Sequence, residues 1–104
     1  SEEKLAQNAR KLGKIFREEF RTFIATSSVA TLVRGKGLLN AVVINDTEES
    51  DTAWNICVRL AEKGLLAKPT HGNIIRFAPP LVITEEQLRT CVSLIIETLK
   101  EFEN

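Results

Sequence analysis

The chain has 104 residues, 43% of them hydrophobic, and its 14 Lys and Arg balance 14 Asp and Glu. One domain of ordinary globular composition fits these values, and a chain of this size buries about two-thirds of its unfolded surface without disulfides or metals. A formal charge of zero argues against a general nucleic-acid binder, which needs clustered positive charge, and no apolar run approaches the roughly 20 residues of a membrane span.

Leu5, Ala9, Leu12, Phe16, Phe20 and Phe23 recur at steps of three and four, which predicts one apolar stripe on a long first helix. Ser1 can cap that helix, Glu2 and Glu3 suit its first turn, and Thr26-Ser27-Ser28 ends it. Val29 to Val33 reads as a strand and Leu38 to Ile44 as a second, with Gly35-Lys36-Gly37 between them as a tight reversal or bulge. Acidic residues Asp46, Glu48, Glu49 and Asp51 lead into a second helix bearing Ala53, Trp54, Cys57, Val58 and Ala61, which Gly64 stops. A short strand is predicted at Leu65 to Ala67, then a turn containing Pro69 and His71-Gly72-Asn73, then a strand at Ile74 to Phe77. Pro79-Pro80 closes that strand, because proline donates nothing to a ladder and keeps its predecessor out of the helical region. Thr84-x-x-Gln87 is a capping-box pattern opening a third helix with Leu88, Cys91, Val92, Ile95, Leu99 and Phe102 on one face. The order helix-ββ-helix-ββ-helix predicts an α+β two-layer sandwich, with a mostly antiparallel sheet and helices on one face.

The charge is unevenly spread: residues 1–37 hold eight basic and four acidic groups, and residues 38–104 hold six and ten. A basic outer face on the first helix accounts for this, and so does a patch that docks onto an acidic partner domain. The sequence has no Met, so Ser1 is expected to be a processed or truncated start and the chain part of something larger. The first residues do not read as a signal peptide, since their apolar members are spaced helically among charges. Cys57 and Cys91 have no CxxC and no nearby His, so they are expected to be structural thiols in a reducing, intracellular setting.

Few residues offer chemistry. Gly35-x-Gly37 lacks the third glycine and following helix of a dinucleotide fingerprint, so a hairpin is expected there. The acids from Asp46 to Asp51 lack the alternation and central glycine of a calcium loop and are expected to be a solvated helix approach. His71, the only histidine, reads as a turn residue or a polar contact at a cleft rim. Arg76 is the most informative position, alternating with Ile75 and Phe77 on an otherwise apolar strand. Its guanidinium is either simply exposed or a planar fork aimed into a cleft and suited to bidentate capture of a carboxylate. No base–nucleophile pair, carboxylate dyad or metal set stands out.

The stretches VRGKGLLNAVVI and GLLAKPTHGNIIRFAPPLVITEEQL resemble the C-terminal small domain of the class-III, fold-type-I aminotransferases, which depend on pyridoxal phosphate. The elements carrying the resemblance are Arg34 to Leu38, Gly64 to Leu66, Ile75 to Leu81 and Thr84 to Glu86, while Lys68 to Gly72 and Phe77 to Pro80 point to the ornithine-specific branch. The match runs from about Val33 to Leu88, and the flanking helices agree only in kind. The resemblance implies that residues 1–104 form one small domain, completed by a large domain that carries the cofactor and the Schiff-base lysine. It implies transfer of the δ-amino group of ornithine to 2-oxoglutarate in a homodimer, in the cytoplasm or the mitochondrial matrix. Arg76 matches the substrate-carboxylate arginine and is expected to pair with a large-domain glutamate until 2-oxoglutarate arrives. No catalytic, cofactor-binding or metal residue is expected in this chain, which alone should be inactive. Another class-III ω-aminotransferase and, more distantly, a stand-alone ligand-sensing α+β module are the alternatives.

Overall fold

A computed structural model describes residues 1–103 and has three helices and four strands: α1 (Glu2–Ile24), β1 (Ala30–Lys36), β2 (Leu39–Ile44), α2 (Thr52–Glu62), β3 (Lys68–Thr70), β4 (Ile74–Phe77) and α3 (Glu85–Lys100). The sheet runs β1-β2-β4-β3, and each neighbouring pair is antiparallel. The predicted α+β order therefore holds, with the helices laid over one face of the sheet.

Helix α1 begins as its sequence dictates, with the Ser1 hydroxyl accepting from the Lys4 amide and two acids in the first turn. Its stripe buries Leu12, Phe16, Phe20 and Phe23. Phe16 stacks on Phe20 with ring centroids 4.7 Å apart and reaches Phe77 of β4 at 5.8 Å. Helix α2 ends in a Schellman closure: the Leu65 and Gly64 amides donate to the carbonyls of Leu60 and Ala61, and Gly64 is left-handed at φ +91°. Helix α3 has the full capping box between Thr84 and Gln87.

Three boundaries differ from the sequence reading. Gly35 and Lys36 belong to β1, and the reversal is the two-residue connection Gly37-Leu38, with Gly37 left-handed at φ +57°. The one irregularity in the β1–β2 ladder lies between Ala30 and Leu32 instead. The third strand is Lys68–Thr70, not Leu65 to Ala67. Its position is set by the hairpin loop His71-Gly72-Asn73, which places Thr70 opposite Ile74, while Leu65 is still engaged in closing α2.

Gly13 sits inside α1 for a reason of space: a Cβ there would lie 1.8 Å from the Gly37 carbonyl oxygen. An alanine normally favours a helix over glycine by about 1 kcal/mol. Here Gly13→Ala has to push the hairpin off the helix, so it is expected to destabilise by about 2 kcal/mol and lower the melting temperature by roughly 10 °C. Thermal unfolding followed by circular dichroism checks the sign.

At the far end of the helical layer, Glu101 accepts from Arg59 at 2.9 Å and also from Lys63, tying α2 to the end of α3. These hydrogen bonds, from Lys63 first and Arg59 second, hold its carboxyl below the ordinary 4.5. A carboxylate with a depressed folded pKa contributes stability above its unfolded value and loses it as pH falls through the folded one. Glu101→Gln is therefore expected to melt earlier than the parent at neutral pH. The gap should close as both are acidified below about pH 4.5, in a series of melts across that range.

Candidate functional site

The two faces of the sheet carry different chemistry because alternate side chains point opposite ways. Val33, Val42, Ile75 and Phe77 are buried against the helices. Phe77 fixes this orientation by packing on Phe16, and its neighbour Arg76 is thereby turned to the open face.

On that open face the register assembles a row of cations. Arg34 of β1 faces Ala41 of β2, Ala41 faces Arg76 of β4, and Arg76 faces Lys68 of β3. With strands spaced about 4.8 Å apart, the row spans roughly 14 Å and Arg76 adjoins Lys68 directly. These residues line an open cavity of about 660 Å³, whose rim includes Lys36, Leu39 and Leu66. Among the described residues, no Asp or Glu lines it. Among the described residues, the side chains of Arg34, Lys36, Lys68 and Arg76 have no hydrogen bond or ion pair. A neighbouring row on the same face runs through the apolar Leu32, Val43 and Ile74 to Thr70, with Leu32 48% exposed.

Behind the cations lies a polar lock. Arg17 of α1 donates through Nη1 to the Gly37 carbonyl at 3.0 Å and to Asn40 Oδ1 at 2.8 Å. Asn40 is buried at 3% exposure, and Gly35 opposite it leaves room for its amide, since a Cβ there would lie 2.3 Å from Asn40 Oδ1.

Arg76 is exposed and at the same time lines the open cavity. His71 is exposed at the tip of the β3–β4 hairpin in a left-handed conformation (φ 52°) and does not line the cavity. The acids near it form a structured loop: Asp46 accepts from the Thr47 amide and from the Thr52 hydroxyl at 2.6 Å, and its carboxyl is held below the ordinary range, by Thr52 first. Among the described residues, no group of His, Cys, Asp and Glu is arranged to hold a metal ion. Cys57 is buried, which pushes its thiol up to about 11, and Cys91 is half-buried beside Pro79 and Pro80. The basic excess of residues 1–37 is more dispersed than a helix face: Arg17 turns inward, and Arg34 and Lys36 belong to the sheet. Neither Lys68 nor Arg34 carries a local sequence signal for function. Their place beside Arg76 follows from cross-strand register, of which only the alternation along each strand was visible.

The cavity does not fit pyridoxal phosphate by itself. Among the described residues it offers no carboxylate to pair with a pyridinium nitrogen. The glycine-rich turn at its edge is a hairpin whose Gly37 carbonyl is already bound by Arg17. Its chemistry is that of a surface receiving carboxylates or similar anions.

The likeness to known proteins runs beyond Val33–Leu88 into both flanking helices. The family profile "Aminotransferase class-III" matches residues 1–99. The mitochondrial ornithine aminotransferase of Rattus norvegicus is 55% identical over 101 residues, covering 97% of this chain and 22% of that protein. That of Drosophila melanogaster is 56% identical over 98 residues, covering 94% of this chain and 22% of that protein. Among solved structures, an acetylornithine aminotransferase from Elizabethkingia anophelis superposes with a TM-score of 0.92 and 62% identity, over 97% of this chain and 25% of that one. The Plasmodium falciparum ornithine δ-aminotransferase superposes with a TM-score of 0.84 and 38% identity, over 97% and 25%. The chain thus spans about a fifth of the length of these curated relatives. Among the described residues, no helix is long and apolar enough to cross a membrane.

Proposed function

The chain belongs to the class-III aminotransferase family, and from that premise we propose that it is the C-terminal small domain of an ornithine δ-aminotransferase. In this reading, Arg76 receives a substrate carboxylate within an active site whose cofactor is held by a large domain. The observation that carries it is the Arg76 guanidinium, set on a packed strand with no acidic partner among the described residues, over an open cavity lined by other cations. The names of the relatives supply the substrate, and the mitochondrial names of the rat and fly proteins favour the mitochondrial matrix, with the cytoplasm as the alternative.

Transamination runs in two halves that make opposite demands on one site. Ornithine brings a cationic amine to the reacting end, while 2-oxoglutarate brings a second carboxylate. A permanently charged planar fork anchors the dicarboxylate bidentately, and the same fork has to be neutralised when the diamine is bound. A large-domain glutamate paired with Arg76 during the first half and released in the second meets both demands. Pyridoxal phosphate, when bound, supplies the electron sink. The part of this chain is to orient and discriminate. Ile75 and Phe77 hold β4 rigidly from the opposite face, which gives Arg76 the fixed placement that orientation requires. A homodimer with ornithine and 2-oxoglutarate as substrates completes the reading.

The solved acetylornithine aminotransferase at 62% identity favours a second reading, in which the amino donor is the N-acetylated diamine. Steady-state assays of the complete enzyme with ornithine and with N-acetylornithine separate the two. Ornithine is expected to have the higher kcat/KM, and the reverse order would replace the first reading by the second.

Arg76→Gln in the complete enzyme is expected to lower kcat/KM for the 2-oxoglutarate half-reaction about 100-fold, or about 2.7 kcal/mol. The ornithine half-reaction, followed by single-turnover spectroscopy, should change far less. Equal loss in both halves would remove the carboxylate role. The 104-residue chain, mixed with pyridoxal phosphate and treated with borohydride, is expected to show no stoichiometric pyridoxyl label by mass spectrometry. Stoichiometric labelling at one lysine would place cofactor attachment in this chain.

A further inference from the structure

Resting on the reading of Arg76 as a carboxylate anchor, we propose that Lys68 is a second cation of the same site, one that sets its selectivity for the dicarboxylate substrate. Lys68 and Arg76 are direct cross-strand partners in the β3–β4 pair, which puts their Cβ atoms about 5 Å apart on the same face. Like charges placed directly opposite repel and weaken a sheet. In the helical layer several clustered cations are neutralised: Arg59 and Lys63 share Glu101, Arg89 holds Glu85 and Glu19, and Lys11 takes Glu85. Beside Lys68 and Arg76 the described residues supply no acid, and none lines their cavity.

The placement of Lys68 is also stiff. Pro69 follows it, fixing its own φ and biasing Lys68 to an extended backbone. The Schellman closure at Gly64–Leu65 and the His71–Asn73 loop bracket the strand from either side. On the other flank of Arg76 stands Ala41, half-buried, whose small side chain leaves the cavity open towards Arg34. A paired cation and an unobstructed floor are what an incoming anion needs, and neither serves the sheet.

A second positive charge beside the fork raises the local potential, which favours a doubly charged anion and disfavours the cationic end of a diamine. Lys68 acts on the acceptor mainly through that potential, so its effect has a signature that a packing role lacks: it is screened by salt.

The test is made in the complete enzyme with 2-oxoglutarate and ornithine as probes. Lys68→Gln is expected to raise KM for 2-oxoglutarate about fivefold at low ionic strength, the scale of one partly screened charge contact. The ornithine half-reaction should move less than about twofold on the same scale. Lys68→Arg should restore the parent value, and the difference between Lys68→Gln and the parent should vanish near 1 M salt, where the Debye length is about 3 Å. An unchanged KM, a loss that persists at high salt, or an equal loss for both substrates would overturn the inference. Arg76→Gln run in parallel separates the two levels. If that variant alone impairs 2-oxoglutarate, only the role of Lys68 fails; if neither variant does, the carboxylate reading of the site fails with it.

Discussion

The guanidinium of Arg17 is the contact on which the geometry of the sheet rests. It reaches from the middle of α1 into the tip of the β1–β2 hairpin and binds both the Gly37 carbonyl and the buried Asn40 side chain. A buried amide is costly unless its polar atoms are met, and a charged donor meets one of them with a bond stronger than a neutral one. The approach is close enough that Gly13 has no room for a Cβ, and Gly35 has none against Asn40 across the strand pair. With the hairpin tip clamped, β2 lies at a fixed height on α1. Since β4 pairs with β2 and β3 with β4, every later register is inherited from that clamp. The cation row on the opposite face is its indirect product.

The inherited register divides the molecule electrically as well as sterically. The acids paired with a basic side chain lie in the helical layer, where Glu18, Glu19, Glu85 and Glu101 each hold one. The cations without partners among the described residues include the four at the open sheet cavity. A formal charge of zero therefore hides a face of one sign. Phe77 connects the two halves of this arrangement. Its ring packs on Phe16 inside, and the two-residue period of the strand then leaves Arg76 only one direction to point.

Features decided within a few residues were legible in the sequence. The α1 stripe, the Gly64 stop and the Thr84–Gln87 capping box all appear where their local chemistry puts them. Features decided by partners further along the chain were misplaced. Gly35 and Lys36 read as part of a turn because glycine usually marks one, yet Gly35 is needed as strand backbone opposite Asn40. Apolar Leu65 to Ala67 outweigh Lys68-Pro69-Thr70 in strand propensity, which draws the expected third strand three residues ahead of its place at Lys68–Thr70. Its true position is set by the turn that follows, and there Gly72 packs so tightly that a Cβ would lie 1.6 Å from the Glu48 carbonyl oxygen. Arg76 was recognisable from alternation alone, whereas its company was not. Arg34 and Lys68 stand 42 and 8 residues from it in sequence, and nothing in either local pattern says that they share a row.

Edge protection is the ordinary reason for a lysine on a terminal strand, since charge and proline discourage pairing with another sheet. Strand β3 is already protected without it. The strand is three residues long, and Pro69 at its centre has no amide to offer. The opposite edge, β1, is interrupted by the irregularity between Ala30 and Leu32 and has Thr31 Oγ1 donating to the Val43 carbonyl at 3.3 Å. Lys68, moreover, shares the face of Arg76, so its charge stands over the sheet rather than along the edge. A residue whose structural duty is met by its neighbour, and whose charge opposes its partner, is better accounted for by an anion arriving from outside the sheet.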